Sequence, residues 1–468
     1  MAVSQIRLNQ HIHFIGICGV AMSALALAFK KQGCKITGSD VGFYPPISTY
    51  LKEAGVDFYS GWHPEKMGTP DLVVVGNVAS STNPEWLYIR EKKLNYKSYP
   101  EVIAEYFVKK NSIVCAGTYG KSTSAAILTW ILKKAGFDPS YMFGGLALND
   151  IPAAEITSSD WSVLEGDEYK SSRWDRGPKF SYYSPTHLLL TSIVWDHADI
   201  YPTEKDYIEA FKKLTTTIPK NGLLVISEQA VTVLAQAGIY TYGRKDTNDY
   251  VYTNIVQSKN GLAFDIIHQE KTYPVTSSTL GEYMADNITG CFALAHQIGI
   301  DPEKIIQALD EFKGMKRRLE KRLEAAITIF DDIAHSPVKA KAVLETLRKI
   351  YAGKIYAVFE PNTGNRRPEM ARSYTHAFDS AGEVIIPRLT KIKLDRSEPA
   401  PLTEIELCEL IQATQPQVRY LDDDKKLLDY LQQKIQPGDV VVFLGSHGFR
   451  GMIDALVDYY LPSSATST

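Results

Sequence analysis

The sequence contains few of the features that mark extracellular, membrane or nucleic-acid-binding proteins. Its 468 residues include five scattered cysteines and no C-x-x-C pair, which excludes a disulfide scaffold and a zinc module. No stretch approaches the roughly 20 apolar residues of a membrane span, and the first residues lack a basic segment followed by an apolar one. Lys and Arg total 51 against 54 Asp and Glu, so no basic excess indicates nucleic acid or an anionic membrane. We therefore expect a cytoplasmic protein that binds neither nucleic acid nor a membrane.

Short apolar segments rich in Val and Ile alternate with longer amphipathic segments along most of the chain. The apolar segments are HFIGIC, CKITGSD, LVVVGN, SIVCAG, LLLTSIV, LLVIS, KIYAVFE, EVIIP and DVVVFLG. This alternation predicts an α/β fold of parallel strands separated by helices. Between Asp249 and Ser277, apolar and polar residues alternate around Asn260 and Gly261, which predicts an antiparallel hairpin. The small polar tail, residues 463–468, is predicted to be disordered.

The length and two basic segments predict three domains. A chain of 468 residues corresponds to about three domains of average size. The segments FVKKN and GMKRRLEKRLEA are basic, and each precedes an apolar strand, which favours them as connections between domains. We therefore predict domains at residues 1–109, 110–322 and 323–468. Three α/β domains would favour an enzyme with several substrates, although the fold alone does not define the chemistry.

The strongest motif is a glycine-rich loop between the strand SIVCA and a helical segment. Glycines let backbone N–H groups approach phosphate oxygens, a lysine neutralises charge, and the following hydroxyl can reach Mg²⁺. The loop is shorter at its front than the common G-x-x-x-x-G-K-[ST] pattern, because Cys115 stands where that pattern has glycine. The predicted nucleotide-binding residues here are Gly117, Thr118, Tyr119, Gly120, Lys121, Ser122 and Thr123.

A second glycine turn follows the first strand. Gly16 and Gly19 stand between strand and helix, and Asp40 ends the next strand, as in a dinucleotide fingerprint. The third glycine of that fingerprint is absent, since Ala21, Met22 and Ser23 fill the region. A nicotinamide oxidoreductase therefore remains an alternative, but a substrate that carries a nucleotide is favoured.

Taken in order, the motifs resemble the Mur ligase family of ATP-dependent amide-bond ligases. The resemblance rests on the G-T-x-G-K-S loop, E-G-D-E at 165–168, D-H-A-D at 196–199, Asn287, Arg317-Arg318 and D-D-I-A-H-S-P at 331–337. It implies a Rossmann-like UDP-sugar-binding domain, a central P-loop ATPase domain with a parallel sheet plus a small antiparallel sheet, and a Rossmann-like C-terminal domain for the incoming amine. ATP and Mg²⁺ are the implied cofactors, and a monomer or weak dimer is expected.

The resemblance also implies roles for individual residues. Lys121, His197 and Arg318 are the implied catalytic residues, and Ser122, Glu165 and His197 the implied metal ligands. Asn287, Arg318, Asp332 and His335 would join the glycine loop in binding ATP, although Asp332 and His335 could instead serve at the start of a helix, as could Ser336. The implied UDP-sugar contacts are Gly16, Cys18, Gly19, Met22, Ser23, Asp40 and Asn77. The implied peptide contacts are Arg366, Arg367, Ser446, His447 and Phe449.

Two branches of the family match the opening HFIGICGVAMSALA, and both act on UDP-N-acetylmuramate. One adds L-alanine, and the other adds the tripeptide L-Ala-γ-D-Glu-meso-diaminopimelate in peptidoglycan recycling. Segments such as EGDEYKSSRWDRGPKFSYYSP and FLGSHGFRGM favour the second branch.

Several residues depart from the family pattern around the nucleotide site. Tyr119 stands where His is usual, and Tyr283-Met284 where His-Asn is usual. Ser192 and Val194 stand where Asn and Glu are common. A catalytically weakened paralogue that binds the sugar nucleotide is therefore the alternative to an active ligase. The retained Lys121, Ser122, Glu165, His197, Asn287 and Arg318 favour activity. In the last domain, Asn362 replaces a common basic residue, which leaves the third residue of the peptide open.

Overall fold

The computed structural model describes residues 6–43, 47–197, 200–231, 239–390 and 400–461. The tail predicted to be disordered lies outside these residues. The chain forms two compact units. The first comprises Met1–Ile255, Ala263–Ser277 and Tyr283–Lys313, and the second Val256–Leu262, Ser278–Glu282 and Gly314–Thr468. In the part of the chain that the structure describes, no helix has the length and apolar character to cross a membrane.

The first sheet is parallel and lies in the first unit. Its five strands have the order β3-β2-β1-β4-β5. Asn83 caps helix α3, and Pro84 takes its first position, where a missing N–H costs nothing. The elements are β1 His11–Ile15, α1 Val20–Lys31, β2 Lys35–Asp40, α2 Ile47–Glu53, β3 Asp57–Ser60, β4 Leu72–Val75, α3 Pro84–Lys92, β5 Tyr96–Ser98 and α4 Tyr99–Tyr106.

The second sheet has ten strands in the order β15-β14-β13-β12-β11-β10-β6-β9-β7-β8. Its strands are β6 Asn111–Ala116, β7 Ser140–Met142, β8 Ala154–Glu155, β9 Trp161–Gly166, β10 His187–Leu190, β11 Leu223–Ser227, β12 Ile239–Gly243, β13 Tyr250–Ser258, β14 Gly261–His268 and β15 Lys271–Ser277. Its helices are α5 Lys121–Lys134, α6 Glu204–Thr216, α7 Glu228–Val231, α8 Glu282–Gln297 and α9 Pro302–Glu311.

The predicted hairpin is confirmed and extends to three strands. β13, β14 and β15 are neighbours in the sheet, and only two residues connect each to the next. Such short connections permit only antiparallel pairing, so this edge is the antiparallel part of an otherwise largely parallel sheet.

The third sheet lies in the second unit and has the order β16-β17-β21-β18-β19-β20. All its pairs are parallel except β16 with β17. Its central strands β18 and β21 are buried along their whole length, which explains their continuous apolar sequences. The elements are β16 Glu320–Glu324, β17 Thr328–Asp332, α10 Pro337–Ile350, β18 Ile355–Glu360, β19 Glu383–Pro387, α11 Glu404–Gln412, β20 Val418–Leu421, α12 Asp424–Lys434, β21 Val440–Gly445 and α13 Met452–Tyr460. The α/β fold class is confirmed, whereas the domain boundaries stay predictions.

Candidate active site

The loop between β6 and α5 with the first two residues of α5, residues 117–122, is named the phosphate loop. At two of its positions the backbone conformation favours glycine. Gly117 and Gly120 have φ angles of +133° and +83°. A Cβ on Gly117 would lie 2.3 Å from Thr191 Oγ1, and one on Gly120 would lie 2.3 Å from Asn287 Oδ1. Gly120 is also the N-cap of α5. The loop therefore leads to a helix N-terminus, where the backbone favours a bound anion.

Lys121 is the buried cation of this loop. Its Nζ lies 2.7 Å from the Gly117 carbonyl oxygen and 2.8 Å from Glu168 Oε2. Only 13% of the Lys121 side chain and 1% of the Glu168 side chain are exposed. Burial lowers the pKa of Lys121, but the attraction of Glu168 and Asp167 outweighs burial and raises this pKa above its ordinary value. The lysine is therefore charged and held in place at the loop.

Ser122 and Glu165 form an oxygen pair suited to Mg²⁺. Ser122 Oγ donates to Glu165 Oε1 at 2.7 Å, and the Gly144 N–H donates to Oε2 at 2.5 Å. Mg²⁺ is commonly held by one or two protein oxygens together with substrate phosphates and waters. Among the described residues no three His, Cys, Asp or Glu side chains converge as metal ligands. The pair thus fits a metal shared with a bound nucleotide rather than one held by protein alone.

His197 lies beside the partner of Lys121. Its Nε2 is 3.7 Å from Glu168 Oε1, and its ring meets that of Tyr169 edge-on at 4.9 Å. Its backbone is left-handed, with φ of +56°. The structure therefore brings His197 to the Lys121–Glu168 pair, and its role at a second Mg²⁺ stays a prediction. Ala198 and Asp199 of the same motif lie outside the described residues.

The segment after β10 supports the phosphate loop through two backbone carbonyls and the Ser192 hydroxyl. The Thr118 N–H donates to the Ser192 carbonyl at 2.9 Å, and the Tyr119 N–H donates to Ser192 Oγ at 3.1 Å. The Thr118 hydroxyl donates to the Val194 carbonyl at 2.8 Å. Two positions that depart from the family pattern, Ser192 and Val194, thus still hold the loop in place.

The departures at Tyr119, Tyr283 and Met284 have different surroundings. Met284 is 5% exposed, and its sulfur lies 4.0 Å from Nδ2 of the buried Asn287. Tyr119 and Tyr283 are 47% and 42% exposed. Met284 therefore changes the packing around Asn287, whereas the two tyrosines present ring surface to solvent.

Asp40 shapes the glycine turn after β1. Its Oδ2 accepts from the Cys18 N–H at 2.8 Å and its Oδ1 from the Val41 N–H at 2.7 Å. Gly16 has φ of +84°, and a Cβ there would lie 2.5 Å from Val78 Cγ2. Because both oxygens of Asp40 already hold backbone N–H groups, its position favours a turn-forming role over the ribose contact of a dinucleotide fingerprint.

A cavity of about 200 Å³ lies within the first unit, between the first and second sheets. Met22 and Asn77, predicted sugar-nucleotide contacts, line it together with Glu165, a predicted metal ligand. Its other lining residues are Ala21, Gly76, Tyr99, Gly144, Asp167 and Lys179. Two of the predicted sugar-nucleotide residues and Glu165 of the oxygen pair therefore face one space. Ser23, also a predicted contact, is buried and donates its hydroxyl to the Val20 carbonyl within α1.

Sequence reasoning gave no role to several cavity residues. Lys179 pairs with Asp167 at 2.5 Å, and this contact outweighs burial and lowers the pKa of Asp167. Tyr99 begins α4, and Gly144 lies in the loop after β7. Among these residues the sequence pointed only to Asp167, because it is an acidic neighbour of Glu165 at the end of a predicted strand.

In the second unit, the two arginines of the Arg317-Arg318 pair differ. The Arg317 guanidinium donates to the carbonyls of Gly445 at 2.5 Å, Ser446 at 3.0 Å and His447 at 2.9 Å. Arg318 is exposed. Arg317 therefore holds the loop after β21, which leaves Arg318 as the arginine available to a ligand, and its contact with ATP stays a prediction.

Asp332 and His335 both have local structural partners. Asp332 is 5% exposed and accepts from the Leu319 N–H at 2.6 Å and the Ala334 N–H at 2.7 Å. Burial raises its pKa. His335 Nδ1 donates to the Ile333 carbonyl at 2.7 Å. Ser336 caps α10, as considered from the sequence. The predicted ATP contacts of Asp332 and His335 stay predictions.

The predicted peptide residues divide into exposed and buried groups. His447 and Arg367 are exposed, and Ser446 is half-buried. Arg366 Nε donates to the Leu402 carbonyl at 3.1 Å. Phe449 is fully buried in the core of the second unit, where its ring anchors the loop. The predicted peptide contacts stay predictions.

Family models match nearly the whole chain. They are the Mur ligase family catalytic domain at residues 11–110, the Mur ligase middle domain at 115–295 and the Mur ligase glutamate ligase domain at 317–447. The UDP-N-acetylmuramate–L-alanyl-γ-D-glutamyl-meso-2,6-diaminoheptandioate ligase of Haemophilus influenzae is 30% identical, over 96% of this chain and 99% of its own. The UDP-N-acetylmuramate–L-alanine ligase of Dictyoglomus turgidum is also 30% identical over the same shares.

Solved structures share the fold along the whole chain. The UDP-N-acetylmuramate–alanine ligase of Thermotoga maritima has a TM-score of 0.80 at 22% identity, covering 96% of this chain and 99% of its own. A murein peptide ligase of Psychrobacter arcticus has a TM-score of 0.72 at 26% identity, covering 96% and 98%. The fold has three sheets flanked by helices, and its central sheet carries the phosphate loop and the oxygen pair. Together these features indicate a nucleotide-dependent enzyme. The chain belongs to the Mur ligase family, whose members are ATP-dependent ligases that form amide bonds.

Proposed function

We propose that this chain joins L-Ala-γ-D-Glu-meso-diaminopimelate to the carboxyl group of UDP-N-acetylmuramate in the cytoplasm, as a step of peptidoglycan recycling. Relatives from Haemophilus influenzae and Escherichia coli that carry the name of this activity are 30% and 29% identical over 96% of the chain. L-Alanine is the alternative acceptor, because a relative named for that reaction has the same identity of 30%.

The observation that carries the proposal is the shared cavity of the first unit. Met22 of α1 and Asn77, which follows β4, line it together with Glu165, which is hydrogen-bonded to Ser122 of the phosphate loop. A carboxyl group carried by a sugar nucleotide in this cavity would lie next to the residues that handle phosphate. An enzyme that phosphorylates a carboxylate needs this proximity.

The chemistry requires activation because a carboxylate does not react with an amine at neutral pH. The γ-phosphoryl group of ATP passes to a carboxylate oxygen, which gives an acyl phosphate and ADP. The acceptor amine then attacks the carbonyl carbon, the bond from that carbon to the phosphate oxygen breaks, and the amine loses its proton. Negative charge develops on the transferring oxygens, so fixed cations and N–H groups are the required catalysts.

The residues of this chain would meet those needs as follows. Lys121, buried and held by Glu168, supplies a fixed positive charge for the nucleotide phosphates. Ser122 and Glu165 would hold Mg²⁺, which when bound neutralises phosphate charge. Gly16, Cys18, Gly19, Met22 and Asn77 would bind the sugar nucleotide, and Asp40 would hold the glycine turn in shape.

The test measures ADP release and product mass with UDP-N-acetylmuramate, ATP, Mg²⁺ and the tripeptide. We expect ADP and an amide product in equal amounts, and only when every component is present. Sugar-nucleotide binding without product over long incubation would instead support a catalytically weakened paralogue. An NADH-linked absorbance change would support the oxidoreductase.

A further inference from the structure

The segment that follows β9, residues 167–179, contributes to both the phosphate loop and the cavity, and we name it the cavity loop. At its start, Glu168 pairs with Lys121 of the phosphate loop. At its end, Lys179 lines the cavity and is the positively charged member of the lining residues. Because it carries groups of both sites, the position of the cavity loop affects how a substrate fits between them.

Hydrogen bonds between its two limbs make the cavity loop one rigid piece. The Lys179 N–H donates to the Tyr169 carbonyl at 3.1 Å. Nearer the tip, the Ser171 N–H donates to the Gly177 carbonyl at 2.8 Å, and the Gly177 N–H donates to Asp175 Oδ1 at 2.8 Å. A displacement of the tip would therefore pass along the paired limbs to Lys179.

A pair of stacked tryptophans anchors the tip of the cavity loop on the first sheet. The rings of Trp174 and Trp86 are parallel to within 1°, with centroids 4.8 Å apart. Tyr96 of β5 meets the Trp174 ring edge-on at 5.3 Å. Trp86 lies on α3, is 5% exposed, and packs in an apolar core with residues of β1 and β4. Stacked aromatic pairs contribute free energy beyond the area that they bury, so Trp86 is a fixed platform that holds Trp174.

A second contact joins the cavity loop to a predicted sugar-nucleotide residue. The Asn77 amide donates to the Lys170 carbonyl at 3.5 Å. Asn77 also lines the cavity. The first sheet and its loops thus touch the cavity loop at the Trp86 ring and at the Asn77 amide, and both contacts lie on the side of the sugar-nucleotide residues.

The start of the cavity loop is held by other contacts. The Tyr201 hydroxyl donates to the Glu168 carbonyl at 2.7 Å, and the Glu168 side chain, 1% exposed, pairs with Lys121. Neither contact involves Trp174, which is 38% exposed. Loss of the Trp174 ring should therefore free the tip and the limb that carries Lys179, but leave the phosphate loop in place.

We propose that Trp174 is a positioning residue for the sugar nucleotide, because its stacking on Trp86 holds the cavity loop, and with it Lys179, in the conformation that receives the substrate. This inference rests on the part of the proposed function in which the cavity binds UDP-N-acetylmuramate. A loop that is held in its binding conformation in advance costs the ligand no free energy of ordering. If the loop has that conformation for only a fraction of the time, the apparent Kd rises by the inverse of the fraction.

The test measures the Kd of UDP-N-acetylmuramate by calorimetry without ATP, and the KM values in the ligation assay. In Trp174→Ala we expect the Kd and the KM of the sugar nucleotide to rise on the order of tenfold, since the contribution of an aromatic pair is lost. The KM for ATP and the midpoint of urea unfolding should stay constant. Trp174→Phe keeps a ring that can stack and should restore most of the affinity.

The control and a second variant keep the test decisive. Tyr459→Ala removes another exposed ring, from α13 of the second unit, and should leave every constant unchanged. If Trp174→Ala fails to fold, Trp174→Leu keeps apolar volume without a ring and should raise the same Kd.

Three outcomes separate this inference from the proposed function. An unchanged Kd in Trp174→Ala, or an equal rise in the KM for ATP, would overturn the inference alone. Binding of the sugar nucleotide that depends on Trp174 but gives no amide product would overturn the proposed ligation and support the inference. A wild-type protein that neither binds UDP-N-acetylmuramate nor gives product would overturn both.

Discussion

Two loops of this protein place a cation at the carboxyl edge of a sheet by opposite means. The phosphate loop reaches its left-handed positions with Gly117 and Gly120, and the loop after β21 does so with Phe449 and Arg450. In both loops the cation pairs with a nearly buried carboxylate, Lys121 with Glu168 and Arg450 with Glu360. Glycine frees the backbone to approach a ligand, whereas a left-handed residue with a side chain fixes the direction of that side chain. We infer that the first loop is shaped to bring its backbone to a ligand, and that the second holds its guanidinium against two carboxylates.

The largest effect is expected from removing the cation of the phosphate loop. Lys121→Met should lower the rate of ligation by roughly a hundredfold to a thousandfold, because a fixed charge at the phosphates is lost. The assay is ADP release with all substrates present. Lys220→Met removes an exposed lysine and should have no effect. Full activity in Lys121→Met would show that the loop does not work through this charge.

Next in size is the effect of weakening the oxygen pair. Glu165→Gln keeps the shape of the side chain but removes its charge, so the Mg²⁺ concentration for half-maximal activity should rise by about tenfold or more. A Mg²⁺ titration of wild type and variant measures this shift. The same titration of Arg450→Gln should match wild type. An unchanged Mg²⁺ dependence in Glu165→Gln would remove this residue from the metal site.

A smaller effect is expected on the free energy of unfolding. Three glycine variants should separate the cost of a left-handed backbone from the cost of steric contact with Asn287. Gly120→Ala puts a Cβ 2.3 Å from Asn287 Oδ1 at a φ of +83°, whereas Gly136 and Gly451 have φ of +86° and +85° with open space around them. Gly136→Ala and Gly451→Ala should each lower the free energy of unfolding by about 1 kcal/mol, and Gly120→Ala by about 2–4 kcal/mol. Urea unfolding measures all three. Equal losses would mean that the Asn287 contact is unimportant.

The last prediction concerns the pH dependence of stability and a carboxylate that lacks the pairing seen for Glu360. Asp286 precedes Asn287 on α8, and its Oδ1 is buried without a hydrogen bond among the described residues. Burial raises its pKa from 3.8 to about 7. A carboxyl group whose pKa is higher in the folded state binds its proton more tightly there, so its contribution to stability declines as pH rises from about 4 to about 7.

Asp286→Asn should remove that decline. Relative to wild type, the variant should gain up to about 2–4 kcal/mol in free energy of unfolding between about pH 4.5 and about pH 8. Urea unfolding at both pH values gives the difference. Asp246→Asn, at an exposed position, serves as control and should follow wild type. A parallel pH dependence in wild type and Asp286→Asn would show that the carboxyl group titrates normally.

The contrast between the loops also explains what the sequence could predict. Glycines, a lysine and hydroxyls in fixed order have few other uses, so the phosphate loop was recognisable, whereas the hydrogen bond between Ser122 and Glu165 was seen only in the structure. The central strands were recognisable because burial on both faces requires continuous apolar residues. By contrast, Phe449 and Arg450 carry no local sign of a left-handed backbone, because the carboxylates that fix Arg450 are 26 and 90 positions away. For the same reason, the burial of Phe449 and the pairing of Arg450 with Asp424 could not be predicted.

The central claim is that the enzyme links a peptide, and not L-alanine alone, to UDP-N-acetylmuramate. The most direct test supplies equal amounts of L-alanine and the tripeptide together with ATP, Mg²⁺ and the sugar nucleotide, and measures the mass of the product. We predict that the product carries the whole tripeptide. A product that carries only alanine would contradict the account.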